Sequence, residues 1–397
     1  MIPENSWQVI HLSTGHEGGA GLAARRLNSA LNGQGVNSIF GALENSKYIT
    51  GDHEFSISRK FWQRLLSGLL IRLQRLISQK VLFSLISLNV YKFHKIKNLG
   101  NPENTILHFH NWYNLVSQRE ILHLNKKGYP VVLTLHDERF FTGGCHYAFE
   151  CQKFKTGCQT CPELPPIINQ FTSRNISSAL NLLGKSNSQL VFIAPSKWLK
   201  DEALSSLLLK NKRVVFISNT LGILTKPEES VKKSSSKTRT VLKIGIASME
   251  KSTYIKGGDI SSEIEARIAA RNLPIKMIYL SQITDQEDFK NEFWGKIDYL
   301  LVASRAENSP NVIHEAKHFG VPVIASDIGG ISELLCKDYD IAIAANDINS
   351  DKILEILTEL RSSKPPVSNI AMQESFSKYV GASIESHKEL YLSILKK

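Results

Sequence analysis

The feature that most constrains this fold is an alternation of short apolar runs with helix-length segments, which occurs in two series along the chain. Such alternation predicts βαβ units, in which parallel strands form a sheet and crossover helices cover both of its faces. The first series of predicted strands comprises residues 8–12, 36–42, 105–109, 131–135, 189–194 and 213–217, and the second comprises 241–247, 275–280, 298–302, 321–325 and 341–344. Each half is therefore predicted to be a doubly wound α/β domain.

The chain length supports two domains. Its 397 residues exceed what one hydrophobic core usually organises, and 42% hydrophobic residues exclude a largely disordered chain. The predicted domains span residues 1–224 and 241–370, joined by a polar, Lys- and Ser-rich linker at 225–240. A final helix at 371–397 is expected to pack back on the first domain.

The net charge of +11 lies entirely in the first half of the chain. Residues 1–220 hold 25 basic and 13 acidic side chains, whereas the remainder holds 23 and 24. This asymmetry favours an anionic partner for the first half alone, which can be nucleic acid, an acidic polymer or an anionic membrane surface.

Residues 55–102 read as an insertion with nine basic residues and no acidic ones. Leucines at helical spacing among the arginines predict a basic amphipathic helix. It either contacts an anionic membrane or an anionic polymer, or packs on its own domain with a solvated basic face. The segment is Leu-rich and lacks an RNA-reading motif, which disfavours nucleic acid. Because no signal peptide or membrane-spanning run is found, we expect a cytoplasmic protein, peripheral at the inner face of the membrane.

Two features of the first half mark the carboxyl ends of its strands, where α/β sites form. Gly18 and Gly19 lie between the first strand and the first helix, where backbone N–H groups suit a phosphate or a sugar. A purely conformational role is the alternative. His136 directly follows the strand at 131–135, where it can bind a substrate hydroxyl or serve as a structural group.

The most specific pattern is Glu307-Asn-Ser-Pro-Asn-Val-Ile-His-Glu315. Glu307 ends the loop after a strand, and Glu315 lies in a helix predicted to begin near Ser309. Both carboxylates can accept hydrogen bonds from sugar hydroxyls, while the N–H groups of Asn311 and Val312 can hold a phosphate.

This segment resembles the EX7E nucleotide-sugar signature of retaining GT-B glycosyltransferases, specifically family 4. The resemblance extends to residues 215–219, which look like the strand followed by Asn that ends the family's first domain. It also includes the pair Lys256-Gly257, which resembles the start of the first helix in the second domain, and the positions of the glycine loop and His136. The resemblance implies two Rossmann-like domains that face each other across a cleft, the first binding the acceptor and the second binding a nucleotide-diphosphate sugar.

The resemblance also implies a role for each matching residue. Glu307 would hold the donor sugar and Glu315 the ribose, Lys256 would neutralise the diphosphate, and His136 would contact the transferred sugar. The backbone at Asn308, Ser309, Asn311 and Val312 would cradle the distal phosphate. No catalytic metal and no protein nucleophile are expected. The sequence departs from the family at 245–249, which lacks the usual Arg, and Lys251 is the candidate substitute.

Four cysteines, Cys145, Cys151, Cys158 and Cys161, are clustered after His136. Their spacing predicts a structural zinc site, with disulfides or free thiols as alternatives and His146 as a possible replacement ligand. Similar cysteine-rich segments occur in a subgroup of family 4 that resembles the colanic acid and exopolysaccharide glycosyltransferases.

The sequence thus predicts a retaining hexosyltransferase that moves a sugar from a nucleotide-diphosphate donor to a polysaccharide or lipid-linked saccharide. The alternatives within the fold are a sugar-nucleotide epimerase or synthase and a non-catalytic GT-B subunit. A nucleic-acid-binding protein is the alternative from a different class.

Overall fold

The computed structural model describes most of the chain and divides it into two compact units. One unit comprises residues 1–223 with 380–397, and the other comprises residues 224–379. The described residues are 6–43, 53–58, 61–77, 83–85, 99–221, 241–247, 254–280, 293–362 and 370–396. The predicted linker at 225–240 and Lys251 lie outside them.

Within the described residues, the first unit contains a seven-stranded parallel sheet. Its strands are β1 (Gln8–Ser13), β2 (Asn37–Leu43), β3 (Glu54–Ile57), β4 (Thr105–Phe109), β5 (Val131–Thr134), β6 (Leu190–Ala194) and β7 (Val214–Phe216). They lie in the order β3-β2-β1-β4-β5-β6-β7. The helices described in this part are α1 (Gly18–Gly33), α2 (Phe61–Ile77), α3 (Gln118–Lys126), α4 (Pro166–Leu183) and α5 (Lys197–Ser205).

Both faces of this sheet are buried, which explains why its strands are continuous apolar runs. Alternate residues of β1 enter different hydrophobic clusters, Val9 in one and Leu12 in the other. Ile106 and Phe109 of β4 divide in the same way. The period of two along each strand therefore supplies both cores at once.

The described part of the second unit contains a five-stranded parallel sheet. Its strands are β8 (Leu242–Ile246), β9 (Ile275–Tyr279), β10 (Tyr299–Val302), β11 (Val323–Asp327) and β12 (Ile341–Ala344), and their order is β12-β11-β10-β8-β9. The helices α6 (Gly258–Ala270), α7 (Asn311–His318) and α8 (Ser350–Ser362) accompany it. The predicted doubly wound α/β architecture is confirmed.

The edge strand β3 is not predicted by the sequence, which assigns residues 55–102 to an insertion. β3 pairs with β2 in parallel, and Arg25 of α1 donates a hydrogen bond from Nε to Oε1 of Glu54 at 2.9 Å. Only Ile57 among its four residues is buried. So short a strand with one buried residue carries no recognisable period.

The last helix, α9 (Ile370–Leu395), contributes to both units. In the second unit, Phe376 and Tyr379 contact the ring of His314. In the first, Tyr391 and Ile394 are fully buried in the cluster that contains Val9. Among the described helices, none combines the length and apolarity needed to cross a bilayer.

Candidate functional site

The loops that carry Lys256 and Glu307 meet at the carboxyl ends of the neighbouring strands β8 and β10. β8 is followed in the chain by β9 but is also paired with β10, so the chain direction across the sheet reverses between β8 and β10. In open parallel sheets such a switch point leaves a crevice at the carboxyl ends of the strands, where ligands bind. Here the Lys256 ammonium donates a hydrogen bond to the Glu307 carboxylate. The structure thus brings the predicted cation and carboxylate together.

The glycine after Lys256 explains the Lys-Gly pair. Gly257 has a φ of 68°, in the left-handed region that favours glycine. A Cβ at this position would collide with the carbonyl oxygen of Ala303, directly after β10. Glycine therefore allows the start of α6 to pack against the segment that leads to Glu307, which places Lys256 beside that segment.

Arg305 fastens the same two loops together, and the sequence did not identify it. Its guanidinium donates to the Tyr254 carbonyl at 2.7 Å and to both carboxylate oxygens of Asp259 at 2.7 Å. The hydrogen bonds from Arg305 lower the pKa of Asp259. Because these partners flank Lys256 in the chain, Arg305 positions the lysine relative to Glu307.

Helix α7 begins at Asn311, two residues later than predicted from the sequence. Pro310 precedes it with extended geometry, φ −69° and ψ 118°. Asn311 and Val312 therefore form the first turn, with Glu315 one turn further along. The first N–H groups of a helix lack carbonyl partners within the helix and carry partial positive charge, so this end suits a phosphate.

The side chains around the start of α7 are largely buried. Glu315 is 7% exposed and lies one turn after Asn311, on the same helix face. Asn308 is 2% exposed, and the Ser309 hydroxyl lies 3.1 Å from Nε2 of His314. The predicted donor-binding residues of this segment thus share one end of α7.

A separate apolar cavity of about 420 Å³ lies on another face of α7. Ile313, His314 and Lys317 line it, whereas Glu315 does not. The Lys317 ammonium is paired with the buried carboxylate of Asp340. This cavity therefore differs from the polar end of α7 described above.

In the first unit, Gly18 and Gly19 are the first residues of α1. A Cβ at either position would meet open space, whereas a Cβ at Gly21 would collide with the backbone of Gly15. Gly21 is thus required by close packing. The space beside Gly18 and Gly19 is compatible with a ligand, and their binding role stays a prediction.

His136 follows β5 and is hydrogen-bonded through Nε2 to Nδ1 of His110 at 3.2 Å. Burial lowers the pKa of His136 to about 4, so the ring is neutral at neutral pH. The neighbouring Asp137 accepts hydrogen bonds from Nε of Arg139 at 2.9 and 2.7 Å. Burial alone would raise the pKa of Asp137, but the Arg139 charge outweighs it and the pKa is lowered.

Three further histidines, His11, His108 and His110, lie at the carboxyl ends of β1 and β4. His11 and His108 are register partners, and His110 follows two residues later on the same face. In the described part of the chain, only these three form a group of metal-ligand side chains with ligand atoms within 4.8 Å of one another. However, both ring nitrogens of His108 are already hydrogen-bonded, to the Tyr391 hydroxyl and the Thr134 hydroxyl at 2.7 Å each.

The four cysteines of the predicted zinc site lie in one loop as free thiols. All four are described, and no group of ligands with metal-site spacing in the described residues contains a cysteine. Burial raises the pKa of the Cys145 thiol and raises that of Cys158 to about 11, which favours neutral thiols. The predicted structural zinc, with Cys145, Cys151, Cys158 and Cys161 as its ligands, is therefore not supported.

Hydrogen bonds hold this loop in place instead. The Gly143 N–H donates to Sγ of Cys158 at 3.2 Å, and the Thr172 hydroxyl donates to the Cys158 carbonyl at 2.7 Å. His146, the proposed replacement ligand, lies 2.7 Å from the hydroxyl of Ser84 through Nε2. Polar contacts thus fix the loop conformation that the zinc ion was expected to fix.

Glu138 anchors the same loop from a buried position. It is 3% exposed and accepts a hydrogen bond from the Ala148 N–H at 2.7 Å. Burial raises the pKa of Glu138 to about 8. The folded protein therefore holds this carboxyl group protonated at neutral pH, whereas the unfolded chain ionises it.

We expect Glu138→Gln to stabilise the protein at pH 8.5, by up to a few kcal/mol, and to have little effect at pH 4.5. The sign follows because the folded-state pKa is raised, so stability is fully present below the unfolded pKa and is lost as pH rises towards 8. Glutamine keeps an oxygen for the Ala148 N–H and cannot ionise. Urea unfolding at both pH values checks this, with exposed Glu150→Gln as the control. The same change in unfolding free energy at both pH values would contradict it.

The sequence also missed the buried histidines. His108 and His110 flank Phe109 at the end of an apolar strand, and His11 lies in another. Polar residues within buried strands were the available signal, since each must find a hydrogen-bond partner. The pairing of β1 with β4, which brings them together, could not be read from their separation in sequence.

The two doubly wound units and the charged switch point define a class, that of two-domain α/β proteins with a ligand crevice at the carboxyl ends of the strands. Residues 211–379, which include the described strands of the second unit, match the family described as glycosyl transferases group 1. The chain is 25% identical over 380 residues, 88% of both proteins, to WcaC of Escherichia coli (strain K12), whose name describes a colanic acid biosynthesis glycosyl transferase.

Solved structures with the same fold cover nearly the whole chain. The sucrose-phosphate synthase of Thermosynechococcus elongatus has a TM-score of 0.61 at 14% identity, over 98% of this chain and 99% of that one. Anabaena Alr3699/HepE in complex with UDP has a TM-score of 0.57 at 15% identity, over 97% and 100%. The pneumococcal O-GlcNAc transferase GtfA in complex with UDP and GlcNAc has a TM-score of 0.59 at 10% identity, over 99% of this chain and 100% of that one. The predicted GT-B fold is confirmed.

Proposed function

We propose that this protein is a retaining glycosyltransferase of family 4 that transfers a sugar from a nucleotide-diphosphate donor to a saccharide or lipid-linked acceptor in exopolysaccharide synthesis. The observation that carries the proposal is the Lys256–Glu307 pair at the switch point of the second sheet, within the residues that match glycosyl transferases group 1. The UDP complexes of structural neighbours support a nucleotide-sugar donor. The name of WcaC supports the polysaccharide pathway.

The two charges serve opposite ends of the bond that breaks. As the bond between the sugar C1 and the diphosphate oxygen lengthens, its electron pair moves to the diphosphate, and the Lys256 ammonium stabilises that charge without a metal ion. The Glu307 carboxylate accepts hydrogen bonds from sugar hydroxyls. The acceptor hydroxyl forms the new bond at C1 on the face the diphosphate leaves, and its proton passes to a phosphate oxygen.

The end of α7 is proposed to hold the rest of the donor. N–H groups in the first turn, at Asn311 and Val312, bind the distal phosphate through the positive end of the helix. Glu315 accepts from the two ribose hydroxyls. Its burial strengthens these hydrogen bonds, because bulk water competes for them less.

The direct test measures binding and turnover with a panel of nucleotide sugars. Purified protein is titrated with UDP-, GDP-, ADP- and dTDP-sugars, and donor hydrolysis is followed by chromatography with and without EDTA. We expect one donor class to bind and turn over in EDTA, and proton NMR of the product to show retained anomeric configuration. No binding by any donor, with Glu315→Ala unchanged from wild type, would reject the proposal.

A second candidate is a GT-B subunit that binds but does not transfer. It is favoured by the segment 245–249, which lacks the Arg that the family carries before Lys256. Arg305 does not offer a free replacement, because Asp259 pairs with it in bidentate fashion. Nucleotide-sugar binding without turnover, combined with capture of a partner enzyme, would distinguish this candidate.

Helix α2 is proposed to contact an anionic membrane that carries the acceptor. It exposes large apolar side chains, among them Phe61 at 75%, Trp62 at 57% and Leu65 at 59%. Arg64 and Arg72 are exposed on the same helix. Apolar rings with arginines suit a surface of acidic lipid headgroups, where the rings enter the boundary and the arginines meet phosphate.

We expect Arg64→Gln/Arg72→Gln to weaken binding to phosphatidylglycerol-containing liposomes by about 10- to 30-fold, since each charge contributes about 1 kcal/mol. Sedimentation with liposomes at several salt concentrations measures the change. Lys185→Gln/Lys210→Gln removes the same charge from exposed positions of the first unit and serves as the control. Equal binding by both double variants would contradict membrane contact through α2.

A further inference from the structure

Three imidazoles in the first unit, two of them buried and the third half-buried, form a continuous chain of hydrogen bonds. Nδ1 of His11 lies 2.9 Å from Nε2 of His110, and Nδ1 of His110 lies 3.2 Å from Nε2 of His136. His11 is fully buried and His110 is 4% exposed. The chain therefore runs from the interior of the sheet to the residue proposed to contact the transferred sugar.

The positions of the ring protons along this chain are coupled. Burial lowers the pKa of all three rings, so each is neutral and carries one ring proton. A neutral imidazole donates from one nitrogen and accepts at the other. Because both nitrogens of His110 face histidines, His110 must accept from one of them and donate to the other. Only two arrangements of the whole chain are possible.

The inner end of the chain distinguishes the two arrangements. Nε2 of His11 is buried and has no hydrogen-bond partner among the described residues. If His136 donates inward, His11 is left with a buried N–H at Nε2 that has no acceptor. If His11 donates outward, it is left with a lone pair there. Unpartnered buried N–H groups are the rarer case in proteins, so the outward arrangement is favoured.

We propose that His11 and His110 are positioning residues that fix the tautomer of His136, with Nε2 as the acceptor and the ring proton on Nδ1. In this state His136 presents a hydrogen-bond donor to an oxygen of the transferred sugar. The sugar contact rests on the proposed function, whereas the tautomer itself does not.

A shared metal ion is the competing explanation for the same cluster, since the ligand atoms of His11, His108 and His110 lie within 4.8 Å. His11 could offer Nε2 to a metal ion, but His108 and His110 would have to give up hydrogen bonds, because all four of their ring nitrogens bind the hydroxyls of Tyr391 and Thr134 or the neighbouring histidines. The hydrogen-bond chain needs no such rearrangement. Metal content of the purified protein separates the two explanations.

The test compares two substitutions of the inner residue. Leucine in His11→Leu fills the space but removes the donor, which leaves His110 free to adopt either tautomer. Asparagine in His11→Asn places its amide nitrogen where Nδ1 lies, so it can donate to His110 as the wild type does. His387→Leu is the control, because it removes another buried imidazole, one that donates from Nδ1 to the Ser383 carbonyl of its own helix at 2.8 Å.

The first readout is the His136 tautomer, measured by long-range proton–nitrogen correlation NMR with ring-labelled histidine and assigned by loss of its signals in His136→Gln. We expect the proton on Nδ1 in the wild type, His11→Asn and His387→Leu, and a mixture of tautomers in His11→Leu. A proton on Nε2 in the wild type, or an unchanged tautomer in His11→Leu, would overturn the proposal. So would one equivalent of bound divalent metal that His11→Leu loses.

The second readout is kinetic. We expect His11→Leu to lower kcat about tenfold, the equivalent of one buried hydrogen bond, with KM for the donor unchanged. His11→Asn and His387→Leu should stay close to wild type. Equal losses in His11→Leu and His387→Leu would indicate a merely structural role and overturn the proposal. The expected tautomers without any sugar transfer would support the chain and count against the proposed function.

Discussion

Lys256→Ala is expected to lower kcat/KM for sugar transfer by about 10²- to 10³-fold, the usual cost of removing one group that stabilises a developing charge. The loss should fall mainly on kcat, because the diphosphate gains negative charge as the bond to the sugar breaks. Initial rates at saturating donor, compared with rates at low donor, measure this division. The substitution also removes the ion-pair partner of Glu307, so the carboxylate proposed to hold the donor sugar is less well positioned.

Two further variants make this result specific. Lys256→Arg keeps a cation at the position and should recover part of the lost rate. Lys276→Ala removes an exposed lysine from β9 of the same sheet and should leave the rate unchanged. If Lys256→Ala behaves like Lys276→Ala, the switch point of the second sheet is not where transfer occurs.

Glu315→Ala is expected to weaken binding of the nucleoside diphosphate by about 100-fold, because two hydrogen bonds to a charged acceptor contribute about 1.5 kcal/mol each at the low end. Calorimetric titration with the nucleoside diphosphate, without the sugar, measures this loss directly. Lys256→Ala should affect the same titration less, since its largest effect belongs to the transition state.

Glu355→Ala provides the matched control for this second prediction. Glu355 is an exposed glutamate on helix α8 of the same unit, away from α7 in the chain. It should bind the nucleoside diphosphate as the wild type does. Equal affinity for Glu315→Ala and Glu355→Ala would show that the end of α7 does not hold the ribose.

The sequence predicted the sheets because their strands are buried on both faces. The run at β4 and the run at β10 are apolar without interruption, and polar linking segments separate them from helical patterns. β3 escaped because it is four residues long with one buried side chain. The start of α7 was misplaced by two residues, since Ser309 has the character of a helix cap but Pro310 adopts extended geometry.

The candidate site could be predicted where one motif carries all of its residues. Glu307 and Glu315 are eight positions apart in the sequence. Glu307 lies just before α7 and Glu315 lies near its start, so their spacing in sequence predicts that they are close in space. The cysteines show the limit of that reasoning. Cys145 and Cys161 are near in sequence, but the loop between them is fixed by hydrogen bonds to residues outside it. These residues are Glu138, which precedes the loop, and Thr172 of α4. Spacing within an irregular loop says little about where side chains point.

Helix α9 has a consequence for dividing this protein into fragments. The chain cannot be cut at residue 223 to yield a complete first unit, because residues 380–397 belong to that unit. Fragment 1–223 alone would lack Tyr391 and Ile394 from the cluster that contains Trp7 and Val9. It would also lose the ring contact between Trp7 and Tyr391 and leave His108 without the Tyr391 hydroxyl. A peptide that spans residues 380–397 should therefore bind this fragment and restore its fold, as in a complementation assay between split halves of an enzyme.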